Sequence, residues 1–416
     1  MTTPSFSMYA ELLINIRQIS VLASLDTPCD SSTKIKLSED GQQFSLFHNG
    51  QVNSLELPGK CFPNFRLQEP LLGSKELSWR LPWVGQKATD LDPLNPETPW
   101  SAKFMNSSKE FSCRACGEII LQRESIKTWK DLPSEDWAEM MDLWHCHKPN
   151  DNEEQCNPSN YADHPGPEDK TASSKSTLID RAYGANSRFF AQPGTGLIDI
   201  MNFLLKEADC KNIRIEKSES KAYPVSCLCC QVELGYFDFD FLGIKLWKWR
   251  LQCIDLSTSS INLSSSLPTK LSRTVMKSIN DRQSKPSAQI FITSKILSKM
   301  ASHLFSKFVL TPTISTQNPR CLLLWIFGTS LRFSCSKSTR TTPVSYDQPA
   351  IKVFWKVILN DMGSKVRDST GIEEIILPVD IVNEIEKILE ENSLILPPSS
   401  RKYQEWSVGL LERYEE

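Results

Sequence analysis

No stretch of this chain is apolar for long enough to cross a bilayer. Its most apolar runs, such as Cys321–Phe327 (CLLLWIF), fall far short of the roughly 20 residues a spanning helix needs, and they read as buried strands. The opening residues, MTTPSFSMYAELLINIRQIS, lack the basic start and apolar core of a signal peptide. An excess of charge of one sign is lacking too, since 47 basic residues stand against 50 acidic ones and leave a net charge of −3. Without a large single-sign field, direct nucleic-acid binding and attachment to a membrane surface are disfavoured. A phosphate loop, a dinucleotide fingerprint, a GxSxG elbow and an HExxH helix are all missing. So is any internal repeat of about 20–50 residues, which argues against a solenoid.

Cysteine, by contrast, is plentiful at 13 residues. Without a secretory signal, these point to a reducing compartment, cytosolic or nuclear, where paired cysteines serve as metal ligands or free thiols instead of disulfides. The composition, 40% hydrophobic and 23% charged over 416 residues, is that of a soluble globular protein with length enough for two domains.

The expected fold is α+β, with a β-rich N-terminal lobe over residues 1–147 and a mixed α/β C-terminal lobe over residues 178–416. CxxC zinc hairpins would join the two. Between the lobes, residues 148–177 are rich in Asn, Asp, Glu, Pro and Ser and read as a flexible linker. Short alternating runs at Thr33–Leu37, Gln43–His48, Val52–Leu57 and Glu76–Pro82 predict strands, with Asn49-Gly50 as a hairpin turn. Trp79, Trp83 and Trp100 are expected as core or interdomain anchors, with a ligand cage as the alternative. Apolar spacing predicts helices over Gly196–Glu207, Ala288–Phe308, Val379–Asn392 and Gln404–Tyr414, and strands over Phe237–Leu251, Cys321–Ser334 and Ala350–Leu359. His48 and His303 read as structural.

Two cysteine pairs share one spacing. Cys113-Arg-Ala-Cys116 is followed at once by Gly117, and Cys227-Leu-Cys229-Cys230 by a short run to Gly235. Thiolates at i and i+3 grip one ion from a tight turn, and glycine permits a positive φ as the chain leaves it. A pair of such hairpins facing each other would supply four thiolates to one zinc. Closing the long loop between them is no obstacle, because its cost grows only logarithmically with length. Buried free thiols are the plainer alternative. A redox role is disfavoured, since neither pair opens a helix after a strand.

Between the first pair and the linker, Pro133-Ser134-Glu135-Asp136 signals a helix start, and Trp137, Met140, Met141 and Trp144 recur on one face. The run ends on Cys146-His147. One of these two residues is an alternative zinc ligand beside Cys113 and Cys116. Cys146 as a nucleophile is a second reading, although a helix C-terminus raises a thiol pKa. In a third, the pair forms an exposed tip offering soft ligands to a metal held by a partner. A packed helix cap is the fourth.

The combination CRACGEIIL, LPSEDWAEMMDLWHCHKP and CLCCQVELG resembles the HECT-like ubiquitin-conjugating-enzyme-binding family. The matching positions are Cys113, Cys116, Gly117, Pro133, Ser134, Trp137, Trp144, Cys146, His147, Cys227, Cys230, Leu234 and Gly235. The resemblance implies binding to a ubiquitin-conjugating enzyme and support of ubiquitin transfer to substrates such as cyclin B. Relatives in fungi further imply association, through Trp137, Trp144, Cys146 and His147, with the zinc endonuclease of pre-mRNA 3′-end cleavage and polyadenylation. One departure stands out. A HECT ligase forms a thioester on a cysteine in a small C-terminal lobe, yet no cysteine follows Cys335, here placed in a polar loop. The eight closely spaced ligands of a RING are absent too. If transfer proceeds through a thioester, Cys146 is the candidate.

Overall fold

The computed structural model describes residues 6–62, 65–85, 97–133, 190–217, 222–254, 284–313, 320–337, 345–359 and 371–415. Two compact units emerge, one formed by residues 1–101 with 266–416 and the other by residues 102–265. They are interleaved in sequence, where the sequence reading draws consecutive lobes on either side of 148–177. That reading places the two cysteine pairs in different lobes, whereas both fall within the second unit.

The first unit begins with β1 (Phe6–Leu13), β2 (Gln18–Leu25), β3 (Lys34–Leu37), β4 (Gln43–His48), β5 (Gln51–Glu56) and β6 (Glu76–Pro82). The second comprises β7 (Glu110–Cys113), β8 (Ile119–Leu121), β9 (Thr128–Asp131), β10 (Thr195–Ile198), β11 (Asn202–Leu205), β12 (Ile213–Ile215), β13 (Ala222–Cys227), β14 (Glu233–Asp238), β15 (Gly243–Trp247) and β16 (Leu251–Ile254). The chain then returns to the first unit as α1 (Ala288–His303), β17 (Lys307–Pro312), β18 (Arg320–Cys335), β19 (Ser345–Leu359), β20 (Ile372–Leu377), α2 (Val379–Ser393), β21 (Lys402–Tyr403) and β22 (Trp406–Glu412). Among the described residues the fold is thus mostly β, with 2 α-helices.

The main sheet of the first unit runs β21-β22-β19-β18-β1-β2-β6, with β17 and β20 alongside β18. β18 organises it. Its first half pairs with β17 (Leu322 opposite Leu310) and its second half with β1 (Cys335 opposite Tyr9), while β19 follows along its other edge. Register shifts at Ile326/Gly328 and Gly328/Leu331 fall where the neighbour changes from β17 to β1, since a bulge bends a strand without ending it. Two apolar clusters lie against this sheet. One gathers Met8, Val21, Phe44, Leu55, Trp79 and Leu81, and the other Val309, Leu323, Phe333, Phe354, Val408 and Leu410. α2 lays Ile381, Ile385, Ile388 and Leu389 inward. It approaches so closely that a Cβ on Gly409 would sit 2.8 Å from Leu389 Cδ2.

Several expected strands appear with their predicted limits, β4 and β6 among them. Asn49 (φ 50°) and Gly50 (φ 70°) form the β4–β5 turn with the left-handed backbone that a two-residue hairpin requires. Trp79 and Trp100 are buried and Trp83 is half-buried. His48 is buried between Thr27 and Thr33, with hydroxyls at 2.8 and 2.9 Å from its ring nitrogens.

Two helical expectations are overturned, and a third helix is shortened. Residues 196–207 form the β10–β11 hairpin, with Leu197 opposite Leu204. The Asp199 carboxylate closes its turn by accepting from the Met201 and Asn202 nitrogens, both at 3.4 Å. Apolar residues at 197, 198 and 203–205 satisfy either period, and the turn decides the outcome. The segment Gln404–Tyr414 contains β22, whose buried Trp406, Val408 and Leu410 follow the two-residue period. α1 stops at His303 instead of continuing to Phe308. Leu304 takes a left-handed conformation (φ 58°) and bonds its N–H to Met300 O, leaving Phe308 buried in β17. Cys335 ends β18 fully buried, not in a polar loop.

Candidate metal centre

The second unit carries a seven-stranded sheet, β12-β13-β14-β15-β11-β10-β9, and a three-stranded one, β16-β7-β8. Each cysteine pair sits in the turn between two antiparallel strands, Cys113 and Cys116 between β7 and β8, Cys227 and Cys230 between β13 and β14. Backbone geometry is the same in both turns. Cys113 N bonds to Glu118 O at 2.7 Å and Gly117 N to Cys113 O at 2.8 Å; likewise Cys227 N bonds to Val232 O and Gln231 N to Cys227 O, both at 2.9 Å.

The residue four places after the first cysteine must then adopt a positive φ, and it does so as Gly117 (82°) and as Gln231 (60°). Gln231, not Gly235, is therefore the counterpart of Gly117. Gly235 has a different duty inside β14, where a Cβ would lie 1.9 Å from Lys245 O.

The turns bring four sulphurs together. The ligand atoms of Cys113, Cys116, Cys227 and Cys230 all lie within 4.8 Å of one another. Cys113 Sγ is 3.7 Å from Cys230 Sγ, and Cys116 Sγ is 3.6 Å from Cys227 Sγ. A disulfide would hold sulphurs about 2.05 Å apart, so these are separate thiols. A metal about 2.3 Å from four tetrahedral sulphurs would set them roughly 3.8 Å apart, close to the Cys113–Cys230 and Cys116–Cys227 distances. The cluster can hold a metal ion, and its donor set is that of a closed site with no open coordination position.

Hydrogen bonds and burial already divide the thiols. Burial pushes Cys113 up to about 12, against N–H groups of Cys116 and Ala115 that point at its sulphur. Cys116, exposed, is drawn down to about 7, first by the Glu118 N–H and then by hydrogen bonds from the other three cysteines of the cluster. Cys227 is raised by burial. Metal binding replaces the shared protons with one cation and releases them.

Asn212 ties the two turns together, a role no sequence motif announced. Its Nδ2 donates to Glu118 Oε1 at 2.7 Å and Ile119 O at 3.0 Å, while its own carbonyl accepts from Leu228 N at 2.8 Å. The only trace in the sequence is an Asn at a left-handed position (φ 53°) before a short strand. Behind the first turn, Arg114 N bonds to Arg250 O at 2.9 Å, and Arg114 Nη1 to Trp249 O at 3.4 Å. Next to these, Lys248 is 0% exposed, with its Nζ 5.3 Å from the Phe203 ring centroid. Burial pulls its pKa down to about 7 against the opposing pull of Asp199 and Asp131. Trp137, Trp144, Cys146 and His147 lie outside the described residues, so the structure neither brings them to this cluster nor separates them from it.

Comparisons with known proteins agree with the sequence pattern. An uncharacterised protein of Saccharomyces cerevisiae is 24% identical over 340 residues, 80% of this chain and 79% of its own. Another of Schizosaccharomyces pombe is 23% identical over 327 residues, covering 76% and 78% respectively. No solved structure matches. Residues 11–408 match the model of one family, described as HECT-like ubiquitin-conjugating enzyme (E2)-binding. With nearly its whole length inside that match, the chain belongs to the HECT-like E2-binding family.

Proposed function

We propose that this protein binds a ubiquitin-conjugating enzyme and supports ubiquitin transfer to a substrate, with one zinc ion on Cys113, Cys116, Cys227 and Cys230 stapling its second unit. The family match over residues 11–408 carries the reading. Sulphur spacing and the closed donor set favour zinc in a structural role, because a catalytic zinc keeps a position open for water or substrate.

The described cysteines offer little for a thioester. Cys29, Cys61, Cys253, Cys321 and Cys335 are buried. Cys210 is pushed up to about 12 by burial, and Cys229, though exposed, is raised by its hydrogen bond with Cys116. A transferring thiol has to be accessible and readily ionised. Cys146 and Cys156 lie outside the described residues, and Cys146, set between His145 and His147, is the one to test. Cyclin B as substrate and a cytoplasmic and nuclear location accompany this proposal.

With the exposed, low-pKa Cys116 assigned to the metal cluster, the scarcity of other activated thiols among the described residues favours a second reading. Here the protein is a non-catalytic assembly factor that docks Trp137, Trp144, Cys146 and His147 onto the zinc endonuclease of pre-mRNA 3′-end processing. Mixing the full chain with a ubiquitin-charged conjugating enzyme, followed by a non-reducing gel, separates the two. A reducible ubiquitin adduct that vanishes in Cys146→Ser, with endonuclease binding intact, supports transfer. Endonuclease binding lost in Cys146→Ser, with no adduct ever formed, supports the assembly factor. No measurable affinity for any conjugating enzyme would reject the first reading.

A further inference from the structure

In the first unit, the loop between β2 and β3 lays a relay of polar side chains across the end of β4. Thr27 is exposed, and its Oγ1 lies 2.8 Å from His48 Nε2. On the other side of the ring, His48 Nδ1 lies 2.9 Å from Thr33 Oγ1, which is itself 3.3 Å from Asp30 Oδ1. The Ser32 hydroxyl and N–H, at 2.6 and 2.9 Å from that carboxylate oxygen, hold the Asp30 carboxyl below its ordinary range.

Counting hydrogens gives the relay a direction. An ionised carboxylate only accepts, so the Thr33 hydroxyl donates its single proton to Asp30. Thr33 Oγ1 then accepts from the Asp30 N–H at 3.2 Å and from His48 Nδ1–H, which fills both its lone pairs. With its proton on Nδ1, the ring presents a bare Nε2 to the Thr27 hydroxyl. Asn49 Nδ2 donates to the same Thr27 oxygen at 2.7 Å, and one lone pair of that oxygen stays free for reaction. His48 is 1% exposed and meets the Phe6 ring in a T-shaped contact at 6.1 Å. The base is therefore shielded from water, while the hydroxyl it serves belongs to a residue on the surface.

We propose that Thr27 is a nucleophile that accepts the acyl group of ubiquitin from a thioester, with His48 as its general base. Thr33 and Asp30 act as positioning residues. A hydroxyl is a weak nucleophile until a base within hydrogen-bond reach takes its proton, and that base needs a third group to fix its tautomer. All three parts are present here. Thr27 Oγ1 attacks the thioester carbonyl at the ubiquitin C-terminus, and a C–O bond forms as the C–S bond breaks. His48 takes the hydroxyl proton and passes it to the leaving thiolate, so the step needs neither oxidant nor reductant. The choice of donor rests on the proposed binding of a conjugating enzyme, and an ester made this way requires none of the described thiols.

The test incubates the full-length protein with ubiquitin supplied in two ways, on a charged conjugating enzyme and as a small alkyl thioester. Gels are then run after reductant, with and without mild alkali. An ester on Thr27 survives reductant and is lost in alkali, whereas a thioester on Cys146 is lost to reductant and an isopeptide bond to lysine survives both. Thr27→Ala should abolish the alkali-labile adduct and Thr27→Ser should keep it, both with parental melting curves because the side chain is on the surface. His48→Ala should slow adduct formation about 100-fold. If loss of the buried ring unfolds that variant, the two Thr27 substitutions still decide. An ester formed from the alkyl thioester but not from the enzyme supports Thr27 as nucleophile and rejects the conjugating enzyme as its donor. No alkali-labile adduct from either donor would overturn the proposal, whether or not calorimetry shows a conjugating enzyme to bind. So would an adduct that persists in Thr27→Ala.

Discussion

The first unit spreads its apolar burial along β1, β2, β18, β19, β22 and α2, where Tyr9, Val21, Leu324, Val353 and Ile385 are all at most 1% exposed. In the second, strands of three to six residues enclose the Phe111–Trp129–Phe203 ring cluster, a buried lysine and four thiols. Long strands and an amphipathic helix let a core form from side chains alone, and the loss of one is shared among many neighbours. Short strands bury less apolar area each, so a cross-link between their turns carries a larger fraction of the stability. The comparison therefore separates a unit held by packing from one in which a metal on the four cysteines would carry more of the stability.

The largest expected effect falls on the cysteines. Cys113→Ser or Cys227→Ser should each destabilise the second unit by several kcal/mol, on the order of 3–5, with loss of metal. Hydrogen exchange would show β13 and β14 losing protection while β18 and β19 keep theirs, and a strong chelator should reproduce the pattern. Ile385→Ala in α2 should destabilise the first unit by about 2–5 kcal/mol, since a fully buried side chain leaves a cavity. Chelator sensitivity in that variant should match the parent, and a difference would show that the two modes of support are not separate.

Lys248 sharpens the contrast through pH. Its folded pKa of about 7 lies below the unfolded value of about 10.4, so between these limits the unfolded chain binds more protons and stability rises with pH. Lys248→Met should remove that rise and stabilise the fold at neutral pH. Thermal melts between about pH 7 and 10 check the slope, and identical slopes in parent and variant would dismiss the buried cation. The smallest effect belongs to Gln231→Gly, which should stabilise by less than about 1 kcal/mol, the relief of a left-handed non-glycine residue being offset by chain entropy.

How much of this could be read beforehand follows from how local each signal is. The CxxC spacing and the Asn49-Gly50 turn are written in consecutive residues, and both lead to the observed local structure. The helix Val379–Ser393 was legible for the same reason, its apolar stripe holding one period over 15 residues. The hairpin at 196–207 was not, because a run of apolar residues fits two periods and only the Asp199 turn discriminates. Leu304 ends α1 without the glycine that would have announced it. Gln231 hides the likeness of the two cysteine turns for the same reason. The interleaving of the units depends on β18 pairing with both β1 and β17, strands separated from each other by the whole second unit and more, and no local pattern encodes that.

The most direct test of the central claim is the metal content of the purified protein, measured by elemental analysis in the parent and in Cys227→Ser. One zinc per chain, absent from the variant, is the predicted result, since the two cysteine turns then share a single ion. Zinc retained at full occupancy in Cys227→Ser would contradict it and assign the ion to Cys113 and Cys116 with ligands from elsewhere in the chain, Cys146 or His147 first among them.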